Sequence, residues 1–115
     1  MDLKKQVNIE DFFKLDIRLG TIITAEDFPE ARKPAYKLSI DFGSLLGIKK
    51  SSAQITRKYQ IDQLIGKQVL AIVNLPPMQI GSMQSDVLIL GIQDNNGNVI
   101  LITSDMKAPN GALLF

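Results

Sequence analysis

Two adjacent prolines, Pro76 and Pro77, divide the two most apolar runs of the chain, Gln68–Val73 and Val87–Ile92. Neither proline can donate to a strand ladder, so a central strand has to stop there. The residues that follow are small, polar and methionine-bearing, with no charge before Asp86. A connection this long between two core strands is as a rule either functional or disordered. Asn74–Val87 is too apolar for disorder. It reads as a functional loop set between two core strands, and the rest of the chain must supply the framework that carries it.

That framework reads as mainly β. Asp16–Phe28 is one long strand, with Ile17, Leu19, Thr21 and Ile23 alternating against Arg18, Gly20, Ile22 and Thr24. Gly20 inside it marks a bulge or sharp bend. Phe28–Pro34 is a loop bracketed by prolines. In the next strand Tyr36, Leu38, Ile40 and Phe42 share one face, and Lys37, Ser39 and Asp41 the other. After a turn at Gly43–Gly47, Lys49–Thr56 is a third, more polar strand with Ala53 and Ile55 inward. Tyr59–Ile65 is a short helix with Ile61, Leu64 and Ile65 on one face, and Gly66 is its stop. Asp94-Asn95-Asn96-Gly97 is a hairpin turn, and Val99–Thr103 is the last strand.

The two termini are set apart from this core. Residues 1–15 hold an N-terminal helix, capped at Asn8, with Ile9, Phe12 and Phe13 on one stripe. Residues 104–115 form a C-terminal extension that turns at Pro109-Asn110-Gly111 and ends on Leu113-Leu114-Phe115. Two apolar termini of this kind need cover, from the barrel or from a second copy of the chain. Three strands, a short helix, then strands four and five make an all-β, five-stranded Greek-key barrel, the OB-fold, as a single domain over residues 1–115. A small sandwich is the competing arrangement. The helix between strands three and four and the bend at Gly20 favour the barrel.

Composition removes whole classes of chemistry. The chain of 115 residues has no cysteine and no histidine. Disulfides, thiol chemistry, Ser-His-Asp catalysis and the usual zinc sites are therefore excluded. Ser51, Ser52, Ser82 and Ser85 have no base to activate them, and Gly81 and Gly91 form no phosphate loop. We expect no enzyme, no metal and no cofactor. No apolar run approaches the roughly 20 residues of a membrane helix. The start Met1-Asp2-Leu3-Lys4-Lys5 has no apolar signal region. The expectation is a cytoplasmic protein without membrane insertion.

Net charge is +1, but it is unevenly spread. Between Arg32 and Lys58 stand seven basic residues and one acid, Asp41, so that segment carries +6 and the remainder −5. Such polarity makes a positive face, suited to a polyanion. The third strand places Lys50, Ser52, Gln54 and Thr56 outward, a row able to contact phosphate, ribose and base edges. Asn74, Ser82, Ser85 and Asp86 add amide, hydroxyl and carboxylate groups beside Met78 and Met83. With seven aromatic residues, mostly at core-like spacing, recognition of a folded RNA by shape fits better than stacking of single strands.

Several strings together resemble the tRNA-binding domain family. They are Phe28-Pro29-Glu30-Ala31-Arg32-Lys33-Pro34-Ala35-Tyr36-Lys37-Leu38, Ile40-Asp41-Phe42-Gly43, Gly47–Thr56, Val73-Asn74-Leu75-Pro76-Pro77 and Ser85-Asp86-Val87-Leu88. The resemblance runs from about Ile9 to Gly111. Within the family the chain is most similar to small bacterial proteins described as export-related chaperones. The resemblance implies an OB-fold homodimer that binds tRNA without catalysis. It departs from the family in Asp86, where glutamate is more usual, in Leu75, where phenylalanine is common, and in a Met78–Gln84 loop without basic residues.

On this reading Lys33, Lys37, Lys49, Lys50, Arg57 and Lys58 neutralise phosphates. Ser52, Gln54, Asn74, Ser82 and Ser85 donate to ribose, phosphate or bases. Asp86 accepts from a base amino group or has a structural role within its loop. The alternative partner is unfolded polypeptide, such as a preprotein on its way to the export machinery, held by Met78, Ile80 and Met83. Ile9, Phe12, Phe13, Leu113, Leu114 and Phe115 are the expected dimer contacts.

Overall fold

The computed structural model describes residues 2–115. Its centre is a five-stranded antiparallel sheet in the order β3-β2-β1-β4-β7, curled into a nearly closed barrel. These strands are β1 (Ile17–Asp27), β2 (Tyr36–Asp41), β3 (Ile48–Ala53), β4 (Gln68–Ile72) and β7 (Leu88–Ile89). Two hairpins branch from it: β5 (Met78–Ile80) with β6 (Met83–Ser85), and β8 (Gly91–Gln93) with β9 (Val99–Leu101). Helix α1 (Ile9–Phe13) precedes the barrel, and α2 (Ile61–Leu64) lies between β3 and β4. This is the OB arrangement expected from the order of elements.

The core follows the period-two pattern of β2. Tyr36, Leu38, Ile40 and Phe42 point inward and meet Ile22, Ile55, Leu64, Val69, Ala71 and Val87. The pattern of β1 differs from the simple alternation. Ile22 shares the inward face of Gly20 and is fully buried; the register against β2 then shifts between Ile22 and Thr24, leaving Ile23 as the exposed extra residue. The bulge lies there, not at Gly20. Gly20 serves another purpose: a Cβ at that position would sit 2.6 Å from Ile40 Cγ2 and 2.8 Å from the Phe42 ring. Its missing side chain lets β1 approach the opposite wall.

Two further elements depart from the sequence reading for local reasons. Helix α2 ends at Leu64, and Ile65 is already extended (ψ 123°) and exposed, so it leaves the face shared by Ile61 and Leu64. The apolar run Val87–Ile92 is not one strand. It breaks between β7 and β8, and Ile92 is exposed. Leu90 sits at the break. Its N–H donates to Leu70 O (2.9 Å), and its carbonyl accepts from Ile102 N–H (3.3 Å), which roots the β8–β9 hairpin on β4.

The C-terminal extension is part of the sheet. Gly111 N–H donates to Leu19 O (2.7 Å), Leu19 N–H to Ala112 O (3.0 Å) and Leu114 N–H to Ile17 O (2.8 Å). It takes the edge of β1 that β2 leaves free below Thr21. The Pro109-Asn110-Gly111 turn is held by Thr21 Oγ1, which donates to Asn110 Oδ1 at 2.6 Å. Gly111 has φ +90°, and a Cβ there would be 2.6 Å from Phe42 O, so this turn requires glycine.

Candidate nucleic-acid interface

The Asn74–Val87 segment closes the barrel. It is a hairpin, not an irregular loop: Met78 pairs with Ser85, Gln79 with Gln84 and Ile80 with Met83, and Gly81 at the tip has φ +55°. β4 ends at Ile72, four residues ahead of Pro76, and the chain enters β5 directly after the two prolines. Beyond β6, Asp86 N–H donates to Lys50 O (2.8 Å), and the Asp86 carboxylate accepts from Lys50 N–H (3.2 Å). A side chain thereby stands in for a backbone carbonyl at the seam between β3 and the fifth strand. Ser51, the one buried polar residue among the described residues, donates from Oγ to Val87 O at 2.9 Å and completes the seam. Ser85 Oγ donates to Val87 O at 3.3 Å.

The hairpin tip is clamped by a residue that sequence reasoning did not single out. Glu30, in the loop between β1 and β2, accepts from Ser82 Oγ (3.0 Å) and Ser82 N–H (3.3 Å). Met83 is buried against Phe28 and Ala35, with Ala31 and Ile80 beside it. Of the three candidate peptide contacts, Met78 is exposed, Ile80 half-buried and Met83 buried. Met83 thus packs inside a satellite core; it shares a face of the hairpin with Ile80 and Met78, but Phe28 and Ala35 cover only the end where Met83 and Ile80 pair.

Between the hairpin and the outer faces of β1, β2 and β3 lies a cleft of about 380 Å³. Thr24, Glu26, Lys37, Ser39, Lys50, Ser82, Gln84 and Asp86 line it. Register builds this row. Glu26 opposes Lys37, Lys37 opposes Ser52, and Ser39 opposes Lys50. Lys37 Nζ is 3.4 Å from Glu26 Oε1 and lies 5.5 Å over the Phe28 ring. A second cleft, of about 490 Å³, runs between residues 54–58 and the β8–β9 hairpin, and Lys33, Gln54, Arg57 and Lys58 line it with Asn96 and Asn98. Lys58 Nζ lies 3.4 Å from Asp94 Oδ2. A smaller groove containing Lys33, Ser52, Gln54 and Ile80 lies on the same part of the surface.

Among the described residues Asp94 is the one carboxyl with a clear shift, held below the usual carboxylate range. Backbone N–H donation from Asn98 is the largest cause, opposed by partial desolvation and reinforced by Asn96 N–H and Lys58. Both backbone bonds, at 2.9 Å, reach Oδ1 and shape the hairpin turn.

The structure gathers most of the expected residues, but two fall elsewhere. Lys49 opposes Ile40 and has the parity of buried Ser51, so it points to the opposite side of β3 from Lys50. Asn74 is at the far end of the molecule. Its Oδ1 accepts from Asp16 N–H (2.9 Å) and its Nδ2 donates to Lys14 O (2.8 Å), which joins the end of α1 to the start of β1. Asn74 there lines a third groove, of about 650 Å³, with Phe12, Phe13, Leu15 and the Leu113–Phe115 tail. Phe12 and Phe13 pack edge to face, 5.6 Å apart, and Ile9, Phe13, Leu113 and Phe115 are exposed.

Among the described residues no cluster of acidic side chains could hold a metal ion, and no helix is long and apolar enough to cross a membrane. The arrangement offers hydrogen-bond donors, cations and apolar rims.

The family profile described as "Putative tRNA binding domain" matches residues 17–113. The methionine–tRNA ligase of Flavobacterium johnsoniae is 34% identical over 109 residues, covering 95% of this chain and 15% of the ligase. That of Porphyromonas gingivalis is 37% identical over 110 residues, covering 96% and 16%. The chain therefore spans about a sixth of the length of these ligases. Among solved structures, the chaperone CsaA of Bacillus anthracis superposes with a TM-score of 0.91 at 48% identity, covering 96% of this chain and all of that one. The CsaA chaperone of Picrophilus torridus gives 0.89, also at 48% identity and with the same coverage. A methionyl-tRNA-synthetase-related protein from Pyrococcus horikoshii, 24% identical with a TM-score of 0.85, shares the fold.

Proposed function

This chain belongs to the tRNA-binding domain family, a family of non-catalytic binding domains, and on that premise we propose that it works as a stand-alone tRNA-binding protein without enzymatic activity. It recognises tRNA by shape and backbone. The observation that carries this reading is the outward row on β2 and β3, where Lys37, Ser39, Lys50 and Ser52 lie on directly opposed register positions. A rigid sheet holds two cations and two hydroxyls at fixed spacing, donors placed to meet ribose hydroxyls and base edges of an RNA docked on this face. The match to segments of methionine–tRNA ligases supports the same ligand.

A titration with bulk tRNA across salt tests the reading. Affinity should fall with salt at about 0.7–0.9 in log K per log unit for each phosphate neutralised. Absence of binding at low salt would end the proposal. Lys50→Glu places a second carboxylate beside Asp86 and should weaken binding roughly tenfold, the effect of about 1.4 kcal/mol. Lys49→Glu, on the other side of β3, should change it less.

A second reading is favoured by the 48% identity to two structures described as chaperone CsaA. The protein then captures unfolded polypeptide in the cytoplasm and passes it towards export. Met78, 64% exposed on the hairpin, is the most open of the three apolar contacts, and Ile80 shares a groove with Lys33. Capture of this kind holds or strengthens as salt rises, opposite to tRNA binding. For the α1–tail groove we propose a homodimer contact, because exposed Phe13, Leu113 and Phe115 line it and exposed Ile9 lies on the same short helix as Phe13.

A further inference from the structure

The basic residues of this chain divide between two clefts that differ in how fully their charges are answered. In the first, Lys37 faces Glu26 and Lys50 lies beside Asp86, so the lining carries two cations and two carboxylates. In the second, Lys33, Arg57 and Lys58 line the wall with no carboxylate among the lining residues. Only Lys58 has an ion-pair partner among the described residues, Asp94 at 3.4 Å. The opposite wall is the β8–β9 hairpin, which presents Gln93, Asn96 and Asn98.

We propose that the cleft between residues 54–58 and the β8–β9 hairpin is the phosphate site of this protein, taking the phosphodiester backbone of RNA, with Asp94 as an internal counter-charge that a phosphate displaces from Lys58. The proposal rests on the tRNA reading and assigns its parts. An anion gains most where cations are least compensated. The first cleft, neutral in sum, is left to ribose and base contacts through Ser39, Ser82 and Gln84. Asp94 is fixed by the N–H groups of Asn96 and Asn98, so it stays in place whether or not Lys58 remains on it. Lys58, on a flexible stem and about half exposed, is the partner that moves. An empty site thus keeps one of its three cations masked, which lowers indiscriminate attraction to other anions.

Three measurements on the full chain test this. In tRNA titrations across salt, the double variant Lys33→Gln with Arg57→Gln should make the slope shallower by about 1.4–1.8, two contacts at about 0.7–0.9 each. The matched pair Lys37→Gln with Lys50→Gln should leave the slope within about 0.5 of the parent. An unchanged slope in the first variant, or an equal change in the second, overturns the assignment. Asp94→Asn keeps an acceptor for Asn96 and Asn98 and removes the charge. It should tighten tRNA binding roughly threefold, as for an exposed pair of modest strength; unchanged or weaker binding by a variant with native amide protection removes the counter-charge role. Inorganic tripolyphosphate, followed by backbone amide shifts, should move Arg57 and Asn96–Asn98 before Ser82–Gln84. The reverse order, or no shift, overturns the site. If tRNA does not bind at low salt but tripolyphosphate shifts those amides, the tRNA reading fails and the phosphate site stands.

Discussion

Asn74–Val87 starts and finishes in contrasting surroundings. At its start, Asn74 is bonded to Lys14 and Asp16 beside a groove where Phe13 is 70% exposed. At its finish, Met83 is buried on Phe28 and Ala35, Ser82 is held by Glu30, and Asp86 is bonded to the backbone of β3. The finishing end is complete within one chain: its apolar side chains have cover and its polar groups have partners. The starting end is ordered in its backbone but leaves aromatic surface open. Satisfied hydrogen bonds fix where a segment sits, whereas covering apolar area needs atoms from somewhere, and the end near α1 lacks them within this chain.

The contrast can be broken first at the buried end. Met83→Ala empties the satellite core and should cost about 2–5 kcal/mol in urea denaturation, since a buried methionine loses both transfer and packing energy. A loss below about 1 kcal/mol, within the ordinary range for surface changes, would mean that the hairpin is held by its hydrogen bonds alone. At the open end, Phe13→Asp should leave the fold intact and convert a dimer to a monomer in sedimentation, with loss of any concentration dependence of Tm. An unaltered mass would place the dimer contact elsewhere.

A smaller effect sharpens the seam. Asp86→Ala removes the acceptor of Lys50 N–H in a partly exposed setting and should cost about 1 kcal/mol, read as faster amide exchange at Lys50. The smallest concerns the β8–β9 turn. The Asp94 carboxyl is depressed below 3.8 by the Asn98 and Asn96 amides. Its stabilisation is therefore fully present above the unfolded value and lost as pH falls through the folded one. Amide exchange at Asn96 and Asn98 should accelerate below pH about 4, the ordinary Asp range, and should show no such step in Asp94→Asn.

Much of this fold was legible because its strands obey a period of two. The face of Tyr36, Leu38, Ile40 and Phe42 is a count along the chain, and so is the outward row Lys50, Ser52 and Gln54. The bulge after Ile22 was not legible, because a one-residue shift is set by what β2 demands across the ladder and leaves no mark in the local pattern. The hairpin was hidden for a related reason. Two prolines and a short polar run look like a loop, and the partners that make Met83 a core residue, Phe28 and Ala35, stand about fifty positions earlier.

The candidate site divides in the same way. That a basic face exists follows from the charge count between Arg32 and Lys58, and the absence of histidine and cysteine sets which chemistries are impossible. Those are properties of residue identity and need no coordinates. Which cations act together was decided only in three dimensions. Lys49 and Lys50 are neighbours in sequence and lie on opposite sides of β3. Lys33 and Arg57 are far apart in sequence and share one cleft. The prolines by themselves require a core strand to end ahead of Pro76, and β4 ends at Ile72. Closure of the barrel at Lys50, Ser51, Asp86 and Val87 belongs to the tertiary structure, because hydrogen bonds across a seam depend on where two distant strands come to rest.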